Sequence, residues 1–382
     1  MPFERRSIMW LREEICRLAL QDGANRRQLA ERFGVSPPTL YKWLSRFTSE
    51  GVAGLADRSR RPHASPGRTA SNVEECVLMV RESHPCWGGR KIARRLMDLG
   101  DWQVPAPSVV TEILRRHDRL DPAESAKRGP WERFERARPN ELWQMDFKGD
   151  FAIGSGRCHP LTMTDDHSRY NICLAACGDQ RTATVKACLT EAFRRHGKPE
   201  TILADNGSPW GNGPGHGLTP LTVWLMRHDI AVIHGRPYHP QTQGKEERFH
   251  RTLKSEALAG RSFCDLGHCQ KHFDWWRTIY NTERPHQALD MATPISRYTS
   301  SPRTFTDAPP PIEYGGADIV RKVQDHGKIS FKGRVWKLPK ALKGYPVAFR
   351  TTTKDGVWEV FFTSHRVAQV DLRNPVALDH DV

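Results

Sequence analysis

The sequence predicts a multidomain chain: all-α modules first, a mixed α/β domain in the middle, and a small all-β barrel last. Three observations carry this. Apolar residues recur at helical spacing, with turn glycines between them, through roughly the first 120 residues. From Leu142 short alternating runs are interleaved with helical ones, the pattern of a sheet covered by helices. From about residue 315 only two-residue alternation remains, broken by glycines. The expected boundaries are 1–58 and 72–120 for two helical modules, 141–300 for the α/β domain and 315–375 for the barrel. Linkers fill 59–71, 121–140 and 301–314.

Composition narrows the partner. Lys and Arg number 58 against 44 Asp and Glu, a net charge of +14 over 382 residues. That balance favours a polyanion. No signal peptide and no spanning segment is read, and the nine scattered cysteines form no CxxC pair, so free thiols in a reducing compartment are expected. The expected location is the cytoplasm, in association with the nucleoid.

In the first module, Ile15, Leu18 and Ala19 give one apolar face, and Gln28-Leu-Ala-Glu-Arg-Phe-Gly34 a second helix and its turn. Gly34 supplies the turn, Ser36 an N-cap and Pro37 the first helical position. Leu40, Trp43 and Leu44 face inward, which leaves Thr39, Tyr41, Lys42 and Arg46 for contact. This is helix-turn-helix architecture, whose second helix enters the major groove. The segment from Gly54 to Arg68, which contains Asp57-Arg-Ser-Arg-Arg-Pro-His63, reads as a basic linker. In the second module, Val73, Val77 and Val80 form a face, Trp87-Gly-Gly-Arg-Lys-Ile a turn and helix, and Ser108 is expected to cap a last helix from Val109 to Arg116. Ser108, Thr111, Arg115 and Arg116 are its DNA-contact candidates. Two linked readers recognise a longer sequence than one.

The α/β domain holds the chemistry. Asp146 stands inside the apolar, alternating run Leu142-Trp-Gln-Met-Asp-Phe-Lys-Gly-Asp-Phe-Ala-Ile153, and the short strand that starts at Glu200-Thr-Ile-Leu-Ala ends in Asp205. The pair Asp165-Asp166 reads as a turn salt-bridged to Arg169 rather than as ligands. After Gly244 the pattern turns helical: Phe249, Leu253 and Ala257 form a buried stripe, while Glu247, His250, Arg251 and Lys254 share another face. Lys254 lies two turns past Glu247, roughly 10 Å along the helix. Three carboxylates at one point repel one another unless a hard cation joins them. Two ions about 3.5–4 Å apart would then activate an attacking oxygen and stabilise the leaving one at a phosphodiester. The cationic face behind Glu247, with His250, Arg251 and Lys254, suits the DNA backbone.

The segments Trp143-Gln-Met-Asp146, Asp165-Asp-His-Ser-Arg169, Asp205-Asn-Gly207, His239-Pro-Gln-Thr-Gln-Gly-Lys-Glu-Glu247, Arg248-Phe-His-Arg-Thr-Leu-Lys254 and Tyr280-Asn-Thr-Glu-Arg-Pro-His286 resemble the core of retroviral-type integrases. They resemble in particular the DDE transposases of bacterial insertion sequences, family four-eighty-one. The likeness covers about residues 140 to 300 and implies an RNase H-like fold. It implies Asp146, Asp205 and Glu247 as metal ligands, two Mg²⁺ ions with Mn²⁺ as a substitute, and cleavage and transfer of DNA strands. It also implies that Lys254 contacts the element's end. Glu246 stands beside Glu247; the step to Lys254 selects Glu247. The partners expected are double-stranded DNA, as element ends and as target, and further copies of this chain on that DNA. A DNA-binding regulator with an idle core, and a nuclease that cuts without joining, remain as alternatives.

Three features stand apart from that set. Residues 207–217 form a glycine-rich loop, read as a flap over the site or an insertion. Cys264, His268, Cys269 and His272 come near ligand spacing, but Cys269 sits about 100° from His268 on a helix, so zinc is not expected. In the barrel, Lys332, Arg334 and Lys337 suit contact with DNA or protein.

Overall fold

The computed structural model describes residues 8–58, 68–100, 103–120, 135–211, 217–234, 244–374 and 378–379. The chain divides into two compact units, Met1–Arg68 and Thr69–Val382.

The first unit is three α-helices, α1 (Ile8–Ala19), α2 (Arg26–Arg32) and α3 (Pro37–Glu50), followed by a 3₁₀ turn. Ile15, Cys16, Ala30, Leu40, Leu44 and Leu55 form its core. The turn chemistry is as the sequence has it. Gly34 adopts φ +64°, Ser36 accepts the backbone N–H of Thr39, and Pro37 opens α3. Asn25 caps α2 in the same way, accepting from Gln28.

The second unit begins with α4 (Ser71–Ser83), α5 (Gly89–Leu99) and α6 (Pro107–Arg116) around Val77, Trp87, Ile92, Val110 and Ile113. One expectation needs correcting: α6 starts at Pro107 after Ala106, so Ser108 lies inside the first turn and does not cap it. Proline fits the first position because its missing N–H has no partner there in any case.

The central sheet combines β1 (Leu142–Phe147), β2 (Phe151–Ile153), β3 (Gly156–Asp165), β4 (Asn171–Cys177), β5 (Thr201–Ala204) and β6 (Ala231–His234). β4, β3 and β1 are antiparallel neighbours, and β5 and then β6 join β1 in parallel. This is a meander followed by parallel additions, with α7 (Thr182–His196) and α8 (Pro220–Arg227) as the crossover helices. The helices pack on a core of Trp143, Met145, Leu161, Val185, Phe193, Ile202 and Trp210. On another core, Phe249, Leu253 and Ala257 of the predicted stripe meet Phe273, Trp276 and Tyr280. They come from α9 (Gly244–Leu253), a π-helical turn (Lys254–Leu258) and α10 (Leu266–Thr282).

The helical module α4–α6 is fastened to this second core. Ile279 of α10 packs against it, and Lys91 of α5 reaches Glu256 at 3.7 Å. Arg284 holds the same carboxylate at 3.0 and 3.1 Å from Nε, and Arg95 pairs with Glu283 at 2.5 Å.

The C-terminal region is all-β, but the described strands form two separate sheets. One runs β7 (Ile319–Lys322), β10 (Pro346–Thr351), β11 (Val357–Phe362), β12 (His365–Asp371), β13 (Leu378–Asp379); the other is the hairpin β8 (Lys328–Phe331), β9 (Arg334–Lys337). They share a core in which the Phe331 and Phe349 rings stack at 3.9 Å. Two 3₁₀ turns, Asp325–Gly327 and Lys340–Leu342, bracket the hairpin and interrupt the ladder, so the expected barrel is not closed by hydrogen bonds among the described residues.

Candidate active site

Two of the three acids meet because two parallel strands run side by side. Gln144 of β1 is opposite Leu203 of β5. Two residues further along each chain come Asp146 and Asp205, at the carboxyl ends where open α/β sheets bind their ligands. Asp146 is largely out of water, and burial first, then the charge of Asp205, pushes its carboxyl up to about 7. Asp205 is held in place by the loop that follows it: its Oδ1 accepts the backbone N–H of Gly207 at 2.9 Å and the indole N–H of Trp210. Trp210 is 2% exposed and lies on the Phe147 ring, next to Asp146. Of the glycine-rich loop, 212–216 lies outside the described residues.

The third acid is where sequence and geometry part. Glu247 is on α9 but exposed. Among the described residues no hydrogen bond or ion pair ties it to the two aspartates, and no group of three acidic, His or Cys side chains is close enough to hold a metal. The carboxylate that α9 delivers to Asp146 is Glu246, 1% exposed. The buried stripe Phe249, Leu253, Ala257 continues backward to position 246, three residues before Phe249, and the next residue points about 100° away. Thr162 Oγ1 lies 2.9 Å from Glu246 Oε2, 3.0 Å from the Asp146 carbonyl and 2.8 Å from His250 Nε2. Burial, and lesser repulsion from Asp146, push Glu246 up to about 8.

His250 belongs to this floor rather than to an outer DNA-binding face. Its Nδ1 is 3.9 Å from Asp146 Oδ2, and burial, then Lys148, lowers it to about 4, so it is neutral near pH 7. Arg251 and Lys254 are exposed, as expected. Lys148, which the sequence reading passed over, is drawn below its usual range by burial and by Lys254. The site therefore has an acidic centre and a cationic edge. The stretch 235–243, which leads into α9, lies outside the described residues.

The pair Asp165-Asp166 is not bridged to the Arg169 side chain through either carboxylate, and this corrects the expectation. Arg169 gives its guanidinium to the Asp166 carbonyl at 2.7 Å and to Glu135 at 3.5 Å. Asp165 accepts from Asn140 N–H and from Ser168, closing the turn. Asp166 is fully buried and accepts from Gln144 Nε2 at 2.6 Å, Arg136 N–H at 2.8 Å and the Lys245 ammonium.

The helix-turn-helix candidates divide. Tyr41 and Lys42 are exposed on α3, with Arg46 half-buried, while the Thr39 hydroxyl is engaged with Ser36 at 2.8 Å. On α6, Ser108 is exposed and Arg115 pairs with Glu112. Thr111 bonds back to the Pro107 carbonyl at 2.8 Å and faces Gly89, and Arg116 is tied to buried Glu74 at 2.9 Å. Those last two serve the packing of the module. Of the near-ligand set on α10, His272 gives its Nε2 to the Ala257 carbonyl region at 2.9 Å and Cys269 lies 3.8 Å from Cys158, so the four side chains do not converge.

The comparisons with known proteins follow the same division. Residues 11–63 match a helix-turn-helix domain, 39–114 a homeodomain-like domain, 136–240 and 228–294 integrase core domains, and 318–377 the C-terminal domain of IS481 family transposases. The order is that of helix-turn-helix modules followed by an integrase core. The chain is similar to IS481 family transposases in its C-terminal domain and to proteins of two insertion elements. An insertion element IS476 protein of Xanthomonas euvesicatoria is 25% identical over 260 residues, 66% of this chain and 72% of that protein. An insertion element IS407 protein of Burkholderia multivorans is 27% identical over 171 residues, 45% of this chain. The match spans 59% of the IS407 protein's own length. The catalytic core domain of BIV integrase superposes at a TM-score of 0.32 with 21% identity, over 41% of this chain and 92% of that one.

Proposed function

We propose that this chain binds the ends of a mobile DNA element and cleaves and joins DNA strands there, with Asp146, Asp205 and an acid of α9 holding two Mg²⁺ ions. One observation carries the reading: Asp146 and Asp205 stand at the ends of adjacent parallel strands, where burial first and then the charge of Asp205 push Asp146 toward neutrality. A divalent cation relieves that repulsion, and carboxylate oxygens suit Mg²⁺, with Mn²⁺ as substitute. The chain's donors therefore fit such ions in part, and α9 has to supply the third ligand. Glu247 is our assignment, since it faces the open side with Arg251 and Lys254. Bound ions would supply charge neutralisation at the scissile phosphate and an activated oxygen.

The rest follows from the side chains. Trp210 and Gly207 orient the Asp205 carboxylate, while Thr162 and neutral His250 fix the floor behind Asp146. Lys148, Arg251 and Lys254 receive the phosphate backbone. Tyr41, Lys42 and Arg46 of α3, and Ser108 and Arg115 of α6, contact the terminal repeats. The C-terminal sheets form a barrel-like accessory module with a basic hairpin, Lys332, Arg334 and Lys337. Joining two ends calls for an oligomer on DNA, and the reaction belongs at the nucleoid. No helix among the described residues is long and apolar enough to cross a membrane.

The test is a strand-transfer assay with full-length protein, Mg²⁺ and labelled DNA from the flanks of the gene. Joined product is expected, with Asp146→Asn, Asp205→Asn and Glu247→Gln each losing at least a hundredfold. If Glu246→Gln abolishes joining and Glu247→Gln does not, Glu246 is the third ligand. Cutting without joining would support a nuclease. Salt-sensitive DNA binding with neither activity, unaltered by Asp205→Asn, would leave a DNA-binding regulator.

A further inference from the structure

The mechanism above makes no use of Asp166, yet its carboxylate is fully enclosed beside the site. Its side chain is 0% exposed, 19% for its partner Lys245. Its ligands come from the two elements that carry the catalytic acids. Gln144, which donates to Oδ1 at 2.6 Å, stands two residues before Asp146 on β1. Residues two apart on a strand point to the same face. Lys245, which donates to the same oxygen, stands two residues before Glu247 in the first turn of α9. The backbone N–H of Arg136 fills Oδ2 at 2.8 Å.

α9 is thus held on its inner side at two heights. Lys245 anchors it to the end of β3, and Glu246 anchors it to Thr162 further along the same strand. Asp166 lies just beyond β3 and Thr162 four residues back, roughly 13 Å at 3.3 Å per residue. Anchors on adjacent residues, about 100° apart around α9 and tied to Thr162 of β3 and to Asp166 just beyond it, set the roll of the helix as well as its position. Roll matters here because neighbouring residues differ by about 100°, so a modest rotation exchanges which of Glu246 and Glu247 faces the aspartates.

We propose that the Asp166–Lys245 ion pair is a positioning latch that sets the roll of α9 and thereby the presentation of Glu247 to Asp146 and Asp205. The latch rests on the metal-dependent reading of the site given above. It acts through the third ligand and touches neither DNA nor the reacting atoms.

The experiment uses full-length protein with two readouts: the Mg²⁺ concentration for half-maximal joining, and Mn²⁺ binding without DNA, followed by water-proton relaxation. Lys245→Met is the first variant. The double variant Asp166→Asn/Lys245→Met removes both members of the pair together and so separates the latch from the cost of stranding one buried charge. Both are expected to weaken Mn²⁺ binding and raise the Mg²⁺ requirement by about tenfold or more, as loss of a group that orients a ligand does. Lys245→Arg, which keeps the charge, should recover most of the difference. A folded double variant with wild-type metal dependence in both readouts overturns the latch while joining by the wild type keeps the functional reading. A wild type that neither joins DNA nor binds Mn²⁺ overturns both.

Discussion

Trp210→Phe removes the indole N–H together with part of a buried ring system. Phenylalanine keeps a ring against Phe147, whose centroid lies 5.4 Å from that of Trp210 at 23° between planes. What is lost is the indole N–H on Asp205 Oδ1. Gly207 N–H remains on the same oxygen at 2.9 Å, so the carboxylate keeps one of two donors. A hydrogen bond to a charged group contributes about 1.5–3 kcal/mol. Trp210 is 2% exposed, so water is poorly placed to replace it and the upper part of that range applies. At 1.4 kcal/mol per factor of ten, the expected loss in affinity for a divalent ion is about tenfold to a hundredfold. The assay is Ca²⁺ binding by calorimetry, which involves no turnover, together with the Mg²⁺ dependence of joining at fixed DNA. Thermal unfolding measured alongside reports the packing contribution of the missing ring atoms. The reasoning is refuted if the variant melts lower but binds Ca²⁺ as tightly as the wild type, for then Trp210 only fills space.

Three other predictions concern the floor, the acid limit and the helical module. Thr162→Val keeps the shape of the side chain but leaves Glu246 Oε2 and His250 Nε2 without their shared hydroxyl, and should lower stability by about 1–3 kcal/mol in urea titrations. Burial, then the charges of Arg277 and Arg195, lowers His196 from 6.5 to about 4. The unfolded chain therefore binds the extra proton first, and stability falls as pH drops from 6.5 towards 4, by about 3 kcal/mol at most. Asp146 and Glu246, raised by burial, push the other way, so the diagnostic comparison is His196→Phe against wild type: the variant's urea midpoint should fall less between pH 7 and 5. Gly89→Ala would place a methyl 2.3 Å from Thr111 Oγ1 and 2.5 Å from the Pro107 carbonyl. The helix-propensity gain of up to about 1 kcal/mol does not offset that overlap, so α5 and α6 should separate and the thermal midpoint should drop.

Much of this was legible because it is written at short range. The cap at Ser36 and Pro37, the positive-φ turn at Gly34, the stripe Phe249, Leu253, Ala257 and the strands ending near Asp146 and Asp205 depend on neighbours within a few residues. What escaped depends on partners brought together by the sheet. Lys245 and Asp166 are 79 residues apart, and no local pattern pairs them. Trp210 looked like part of a glycine-rich loop, and only its packing on Phe147 turns its N–H to Asp205. The adjacent acids are a subtler case. Spacing to Lys254 selects Glu247, whereas carrying the apolar stripe back one turn selects 246 as the buried position, a signal that was in the sequence. Thr111 and Arg116 seemed free for DNA because Gly89 and Glu74, which occupy them, lie on other helices. The closed barrel was an over-reading: alternation reports strands, but closure depends on pairing between strands far apart in the chain.

The clamp of Lys91 and Arg284 on Glu256, with Arg95 on Glu283, makes α4–α6 and the acid-bearing sheet a single solid piece. If α6 contacts the element's ends and Asp146 acts at the scissile phosphate, as proposed above, the number of base pairs between the two is set by protein dimensions, not by the give of a tether. Adding one base pair there displaces the bond by roughly 3.4 Å and turns it about the duplex axis. Element ends altered in this one interval should be bound normally and cut poorly, or cut one nucleotide out of place.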